Sequence, residues 1–161
     1  MVAPSRKPRQ ENRLVMKFGG TSVGDLQRIE RVARHVAAEV DRGMQVCVNV
    51  SAMAGETDRL VALASSAAGP DFERSPDVDT VLASGEQVTA GLLALILNRE
   101  GISARSFLGW QIAVKTDDEP TAAMIRQIES QKLVETLEAG QVAVVAGFQG
   151  ISPEGRVTTI G

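Results

Sequence analysis

Short apolar runs alternate along the chain with longer segments that are apolar on one side only. Residues 14–18, 46–50 and 142–146 are apolar runs of strand length, each followed by small or turn-forming residues. The second and third runs are apolar enough to predict strands buried on both faces of a sheet. Weaker strand candidates are residues 102–108, 112–114 and 124–128, the last of which suits a helix equally well.

The segments between these runs have helical periodicity. Residues 25–42 carry apolar side chains three and four positions apart, which places them on one face of a helix. Thr57 has the side chain of an N-cap for a second helix. A third helix is predicted to break near residues 84–85, where serine and glycine interrupt it, and to resume over residues 88–97. Residues 130–139 predict the last helix.

Strands that alternate with helices predict an α/β fold, a layered sandwich with a mostly parallel central sheet. No internal repeat or domain boundary interrupts the pattern, and 161 residues fit one domain. Ligands of such folds bind where the carboxyl ends of strands meet their loops. Here those loops are residues 17–24, 51–57 and 147–150, and all three are rich in glycine or hydroxyl side chains. Their convergence predicts a ligand site.

Composition narrows the class of partner. Aromatic residues make up 3% of the chain and tyrosine is absent, so the core must be aliphatic and no stacking platform for nucleic acid is expected. Residues 1–13 have a net charge of +3, which leaves −6 for residues 14–161. An acidic body disfavours nucleic acid as a partner. The basic, proline-containing head predicts a disordered tail, with a basic docking arm as the alternative.

Cysteine and histidine each occur once, as Cys47 and His35. A single cysteine cannot form an internal disulfide, which fits a reducing compartment. One histidine and one cysteine far apart predict no transition-metal site. No apolar run approaches the length of about 20 residues that a membrane helix needs. The basic head is not followed by an apolar region, so it does not have the pattern of a secretory signal. We therefore expect a cytoplasmic protein with no membrane partner.

Candidate chemistry begins with residues 17–24, whose sequence is KFGGTSVG. A strand that delivers Lys17 into a glycine-rich turn has the geometry needed to bind a phosphate. Gly19 and Gly20 let backbone N–H groups approach the anion, and the lysine adds a mobile positive charge. The following helix would direct its positive end to the same place. The segment is neither a Walker P-loop nor a GxGxxG dinucleotide fingerprint.

Four segments together resemble the aspartate kinases of the amino acid kinase superfamily. They are KFGGTSVG at residues 17–24, VSAMAGETDRL at 50–60, ASGEQVTAGLL at 83–93 and AGFQGISPEGRVTTIG at 146–161. They occur in the family's order and cover essentially residues 14–161. The resemblance implies an amino acid kinase-like fold, of which this chain is the N-terminal, amino acid-binding part.

The resemblance also implies a reaction, in which the γ-phosphate of ATP passes to the side-chain carboxylate of L-aspartate. The product, 4-phospho-L-aspartate, leads towards lysine, threonine and methionine. A carboxylate nucleophile is already ionised at neutral pH and needs no general base. Lys17 would stabilise the transferring phosphoryl group, Gly19 and Gly20 would offer backbone N–H groups, and Thr21 and Ser22 would line the pocket. Magnesium is expected only with ATP, and no tightly bound cofactor is implied.

For the amino acid, the resemblance points to Ser51 and Thr57 as hydroxyl contacts. It points to Glu86 as the partner of the substrate ammonium and to Phe148 as a wall of the pocket. Alternatives from the residues themselves remain. Ser51 and Thr57 could be simple helix caps, and Glu86 could be a first-turn helix residue favoured by the helix dipole.

The sequence departs from the family at its end. After Gly161, family members continue with an Arg-Gly-Gly-Ser-Asp segment. The segments that hold the adenosine of ATP and the regulatory ACT domains follow it. We therefore expect the chain alone to be inactive and marginally stable, and the parent enzyme to be oligomeric. Two alternatives are a non-catalytic module that binds the amino acid and a superfamily kinase acting on another substrate.

Overall fold

A computed structural model describes residues 12–72 and 75–161. The described strands are β1 (Arg13–Phe18), β2 (Gln45–Val50), β3 (Ala104–Phe107), β4 (Val114–Thr116), β5 (Ile125–Ile128), β6 (Val142–Ala146), β7 (Gln149–Ile151) and β8 (Val157–Thr159). The α-helices are α1 (Leu26–Asp41), α2 (Glu56–Ala68), α3 (Asp77–Arg99) and α4 (Gln131–Glu138), and a short 3-10 helix covers Gly20–Val23.

The first sheet is wholly parallel, with the strand order β1-β2-β6-β3. One face, which includes Val48, Val50 and Val144, forms an aliphatic core with α1 and α3. The other face, which includes Cys47 and Val145, packs against α4. Burial on both faces explains why β2 and β6 are continuous apolar runs. The predicted α/β class and parallel sheet are confirmed.

A second sheet of four short strands has the order β5-β4-β7-β8. Strands β4 and β7 are parallel, whereas the β4–β5 and β7–β8 pairs are antiparallel. The sequence did not predict this sheet. The segment 124–128, which suited a strand or a helix, forms strand β5. The strand predicted at residues 112–114 lies two residues later, as β4. Strand β6 continues into β7 through Gly147 and Phe148 alone, so the two sheets join at one of the candidate loops.

Helix α3 is continuous, and the predicted break at residues 84–85 is wrong. Gly85 is needed for packing: a Cβ atom there would lie 2.9 Å from the Cβ of Ala52 and 3.3 Å from Leu60 Cδ1. The glycine therefore lets α3 approach the loop after β2. At 23 residues, α3 is long and apolar enough to cross a membrane by length and composition, but 56% of its apolar window is buried within the protein. We assign it as the core helix of the fold.

The N-terminal ends of the first two helices are capped differently. Asp25 caps α1, and its Oδ1 accepts a hydrogen bond of 2.8 Å from the backbone N–H of Arg28. Thr57 does not cap α2, which contradicts the prediction. The N-cap is Gly55, whose φ of +78° suits glycine, and the helix begins one residue before Thr57.

The N-terminal boundary also differs from the predicted one. Residues 1–11, which contain most of the predicted tail, lie outside the described residues. Arg13 is already part of β1, and its guanidinium pairs with Glu138 at 3.0 Å. Strand β1 is an edge of the first sheet in the described part of the chain, and Val15 on it is 72% exposed.

The packing of Gly85 can be tested by substitution with alanine. Gly85→Ala should lower the free energy of unfolding by about 1–3 kcal/mol, because the new methyl group overpacks the contact with Ala52. Gly91→Ala is the matched control on the same helix, since no atom lies within 4 Å of its added Cβ. That control should be neutral or stabilising by up to about 1 kcal/mol. Urea denaturation measures both, and equal effects would contradict the packing role.

Candidate functional site

Three loops meet at the carboxyl edge of the first sheet because β1, β2 and β6 are neighbours in it. The N–H of Ser51 donates to the carbonyl of Phe18 at 3.1 Å, which ties the end of β2 to the end of β1. The N–H of Gly147 donates to the carbonyl of Val50 at 2.9 Å, which ties the end of β6 to the end of β2. The alternating pattern of the sequence was therefore enough to predict this convergence.

The loop after β1 lies directly against the loop after β2. Gly19 is extended, the next residues form the short 3-10 helix, and the N–H of Ser22 donates to the Gly19 carbonyl at 2.9 Å. A Cβ atom on Gly20 would lie 3.0 Å from the carbonyl oxygen of Ala52. A side chain at position 20 would therefore force the two loops apart, which gives this glycine a structural reason independent of any ligand.

The positive end of α1 is already occupied by a side chain. Asp25 caps it, and the Asp25 carboxylate also pairs with Arg28 Nε at 3.2 Å. A guanidinium nitrogen of Arg28 donates to the carbonyl of Thr21 at 2.5 Å, so this side chain braces the loop. The side chains of Thr21 and Ser22 are exposed. An anion at this loop would therefore depend on loop backbone and Lys17 more than on the helix dipole.

Lys17 and Asn49 are partners in the β1–β2 register and lie on the same face of the sheet. Lys17 is exposed and makes no hydrogen bond or ion pair within the described residues. Asn49 was missed by the sequence analysis, although an amide in an otherwise apolar run was a usable signal. A Cβ atom on Gly147 would lie 2.9 Å from Asn49 Oδ1, so the β6 loop closes tightly over this amide.

Glu86 is the most unusual group at this edge. Its side chain is only 4% exposed, and Oε1 accepts a hydrogen bond of 2.9 Å from the N–H of Ala52. Oε2 is buried and has no hydrogen-bond partner within the described residues. Burial raises the pKa of Glu86, and the Ala52 hydrogen bond opposes that rise. Since Glu86 lies in the middle of α3, the alternative of a first-turn residue favoured by the dipole is wrong.

The two predicted hydroxyl contacts lie on the loop after β2 and at the start of α2. Ser51 and Thr57 are both half-buried, and neither hydroxyl forms a hydrogen bond within the described residues. The alternative that Thr57 is a helix cap is therefore wrong. Neither side chain has a structural hydrogen-bonding task here, so both hydroxyls are available to a ligand.

Phe148 stands at the junction of the two sheets in a conformation that is uncommon for a residue with a side chain, with a φ of +64°. Its ring packs against the cluster of α2 and α3 that contains Leu60 and Leu82. Gln149, which the sequence analysis missed, is 2% exposed and donates from Nε2 to the Ala83 carbonyl at 3.2 Å. These contacts fix the Phe148 turn to the helix that carries Glu86.

The arrangement defines a class of protein. A glycine loop follows the edge strand, a buried carboxylate lies on the long core helix, and a parallel sheet holds them together. The sequence profile of the amino acid kinase family matches residues 12–161. The chain belongs to the amino acid kinase family.

Within that family the chain is similar to aspartate kinases. It is 47% identical over 148 residues to an aspartate kinase of Pseudomonas fluorescens, an alignment that covers 92% of this chain and 36% of the relative. The crystal structure of aspartate kinase from Synechocystis aligns with a TM-score of 0.71 at 38% identity, over 91% of this chain and 24% of that one. E. coli aspartokinase III in complex with aspartate and ADP aligns with a TM-score of 0.76 at 25% identity, over 91% and 43%. The chain spans about a third of the length of the curated relatives.

The buried carboxylate predicts a pH dependence of stability. Because burial raises the folded-state pKa of Glu86, the folded protein holds this proton to a higher pH than the unfolded chain. The stabilisation is complete below the ordinary glutamate pKa of about 4.3 and is lost as pH rises through the raised value. Glu86→Gln should therefore gain stability over the parent as pH rises.

Thermal melts of the parent and Glu86→Gln between about pH 4 and pH 8 check this prediction. Glu100→Gln, which removes an exposed carboxylate just after α3, controls for the loss of one charge. A stability difference for Glu86→Gln that stayed constant over this range would contradict the expected titration.

Proposed function

We propose that the protein containing this chain transfers the γ-phosphoryl group of ATP to the side-chain carboxylate of L-aspartate. The observation that carries the proposal is the buried Oε2 of Glu86, which lies beside the three converging loops and has no hydrogen-bond partner among the residues that the structure describes. A buried carboxylate is costly unless a cation pairs with it. The α-ammonium group of an amino acid is such a cation. Similarity to aspartate kinases supports L-aspartate as that amino acid.

The chemistry requires no general base. An oxygen of the ionised aspartate carboxylate attacks the γ-phosphorus, a new P–O bond forms, and the bond to the bridging β–γ oxygen breaks. ADP leaves with that electron pair, and 4-phospho-L-aspartate is the product. No proton moves in this step, which fits a site whose described residues contribute one carboxylate and one lysine. Alignment and stabilisation of negative charge are what the protein must supply.

The loop after β1 would meet the phosphates. Lys17, which is exposed and unpaired within the described residues, supplies a mobile positive charge to the transferring group. Gly19 and Gly20 offer backbone N–H groups, and the hydroxyls of Thr21 and Ser22 line the same pocket. The exposed position of this loop supports binding of a ligand as large as ATP, which would bring Mg²⁺ with it.

The second half of the site would hold the amino acid. Glu86 pairs with its ammonium group, and the free hydroxyls of Ser51 and Thr57 contact its polar atoms. Phe148 forms an apolar wall, and its ring is held by the α2–α3 cluster. A pocket with a fixed anionic subsite for the ammonium group and a fixed wall orients the side-chain carboxylate of aspartate towards the phosphates.

The wider role of the protein follows from the same reaction. 4-Phospho-L-aspartate would enter the routes to lysine, threonine and methionine. We further propose that the complete enzyme is cytoplasmic and oligomeric, and its similarity to aspartate kinases supports the cytoplasmic location.

Substitution of Lys17 tests the phosphoryl-transfer role. In the complete protein, Lys17→Met should lower kcat for aspartate-dependent ADP formation by about a hundredfold or more, because the transition state loses a positive charge that stabilises the transferring phosphoryl group. Since Lys17 is exposed, the melting temperature should change little. Lys132→Met is the control, because this lysine lies on α4 and, within the described residues, its one hydrogen bond is to the carbonyl of Gln111.

The ADP assay and a measurement of aspartate binding together separate the three candidate functions. Aspartate-dependent ADP release that depends on Lys17 supports the kinase. Aspartate binding without ADP release would favour a non-catalytic binding module. Turnover with a different carboxylate, but not with aspartate, would indicate another kinase of the superfamily.

A further inference from the structure

A second buried carboxylate lies on α3 and has no place in the reaction described above. Asp79 is completely buried. Its Oδ1 accepts two hydrogen bonds, one of 2.5 Å from the hydroxyl of Thr159 and one of 3.0 Å from the N–H of Thr121. Its Oδ2 is buried without a hydrogen-bond partner within the described residues. Asp79 therefore joins the first turn of α3 to two segments of the second sheet region.

Of the two segments held by Asp79, the one with Thr159 is bonded to the Phe148 turn, and the one with Thr121 is bonded to Thr159. Thr159 is paired with Gln149 across the β7–β8 ladder, and the N–H of Ile160 donates to the carbonyl of Phe148 at 3.0 Å. The N–H of Ala123, two residues after Thr121, donates to the carbonyl of Thr159 at 2.9 Å. The Asp79 carboxylate thus anchors the end of β8, and the end of β8 holds the backbone of Phe148.

Asp79 and Glu86 are separated by two helical turns, which is about 10 Å along α3, and lie on the same side of the helix. One rigid element therefore carries both the predicted ammonium partner and the anchor of the opposite wall. We propose that Asp79 is a positioning residue that sets the Phe148 turn at its working distance from Glu86. This inference rests on the proposed function and names a residue that acts on the pocket through Thr159.

Packing alone does not account for the aspartate. A buried carboxylate oxygen without a partner is destabilising, and a neutral side chain of similar size would avoid that cost. The charge does, however, strengthen the hydrogen bonds that Oδ1 accepts. A strong anchor is needed where Phe148 adopts a φ of +64° and Thr121 one of +58°, because neither conformation is favoured by the residue itself.

Two adjacent threonines provide a matched test. Thr158 and Thr159 are both completely buried on β8, but the Thr158 hydroxyl bonds to that of Thr116 at 2.7 Å, whereas the Thr159 hydroxyl bonds to Asp79. Thr159→Val in the complete protein should raise KM for aspartate about tenfold, because the wall loses its anchor, and should leave KM for ATP unchanged. Thr158→Val should lower the melting temperature by about as much as Thr159→Val does, but it should leave KM for aspartate unchanged.

Asp79→Asn tests the carboxylate itself, since the amide keeps an acceptor oxygen but loses the charge. It should raise KM for aspartate by weakening the link to Thr159, and the double variant with Thr159→Val should have a KM close to that of Thr159→Val alone, because both changes act on the same hydrogen bond. Fully multiplicative effects in the double variant would overturn the proposal. So would equal KM values for Thr158→Val and Thr159→Val.

A measurement without substrate separates this proposal from the proposed function. Hydrogen exchange of the Ile160 amide, which is bonded to Phe148, should be at least about tenfold faster in Thr159→Val than in Thr158→Val. If the unsubstituted protein does not phosphorylate aspartate, the proposed function is refuted. The exchange rates alone then decide the role of Asp79. Equal exchange in the two variants would overturn that role even in an active kinase.

Discussion

The close approach of α3 to the loop after β2 is the contact on which the site depends. At Gly85 the helix has no side chain, so the backbone reaches the methyl group of Ala52, and the next residue presents its carboxylate to the Ala52 N–H. The same loop lies against Gly20 on its other side. One short segment, residues 51–55, therefore sets the relative positions of the glycine loop and the buried carboxylate. A shift of α3 would change both halves of the site together.

The fold was predictable where a pattern is local and strong. Strands β2 and β6 were found because burial on both faces leaves a continuous apolar run, and α1 was found because its apolar side faces the core. The second sheet was not predicted because its strands have only three or four residues, too few to show a clear pattern, and because β4 pairs with β7, which is distant in sequence. Gly85 was misread for a related reason. Local propensity treats glycine as a helix breaker, whereas here a tertiary contact requires it.

The residues of the site also fall into two groups, those that could be predicted from the sequence and those that could not. The three loops could be placed together because the alternation of strands and helices predicts a parallel sheet. Lys17 was indicated by the glycine-rich turn, and the family resemblance supplied Ser51, Thr57, Glu86 and Phe148. Asn49 could have been found, because it interrupts an apolar run. Asp79 and Gln149 could not, because their sequence neighbours do not show that these polar side chains are buried. Their importance follows from contacts with Thr159 and Ala83, which lie 80 and 66 positions away in the sequence.

The strand order of the first sheet also has a consequence for how the protein folds. Strand β6 lies between β2 and β3, although the whole segment 51–141 separates it from β2 in the sequence. Parallel pairing over such a distance cannot begin until most of the chain has left the ribosome, and contacts of this kind make folding slow. Until then the apolar edge of β2 stays unpaired, and the nascent chain is exposed to aggregation. A chaperone that shields β2 during synthesis would relieve the main kinetic risk of this topology.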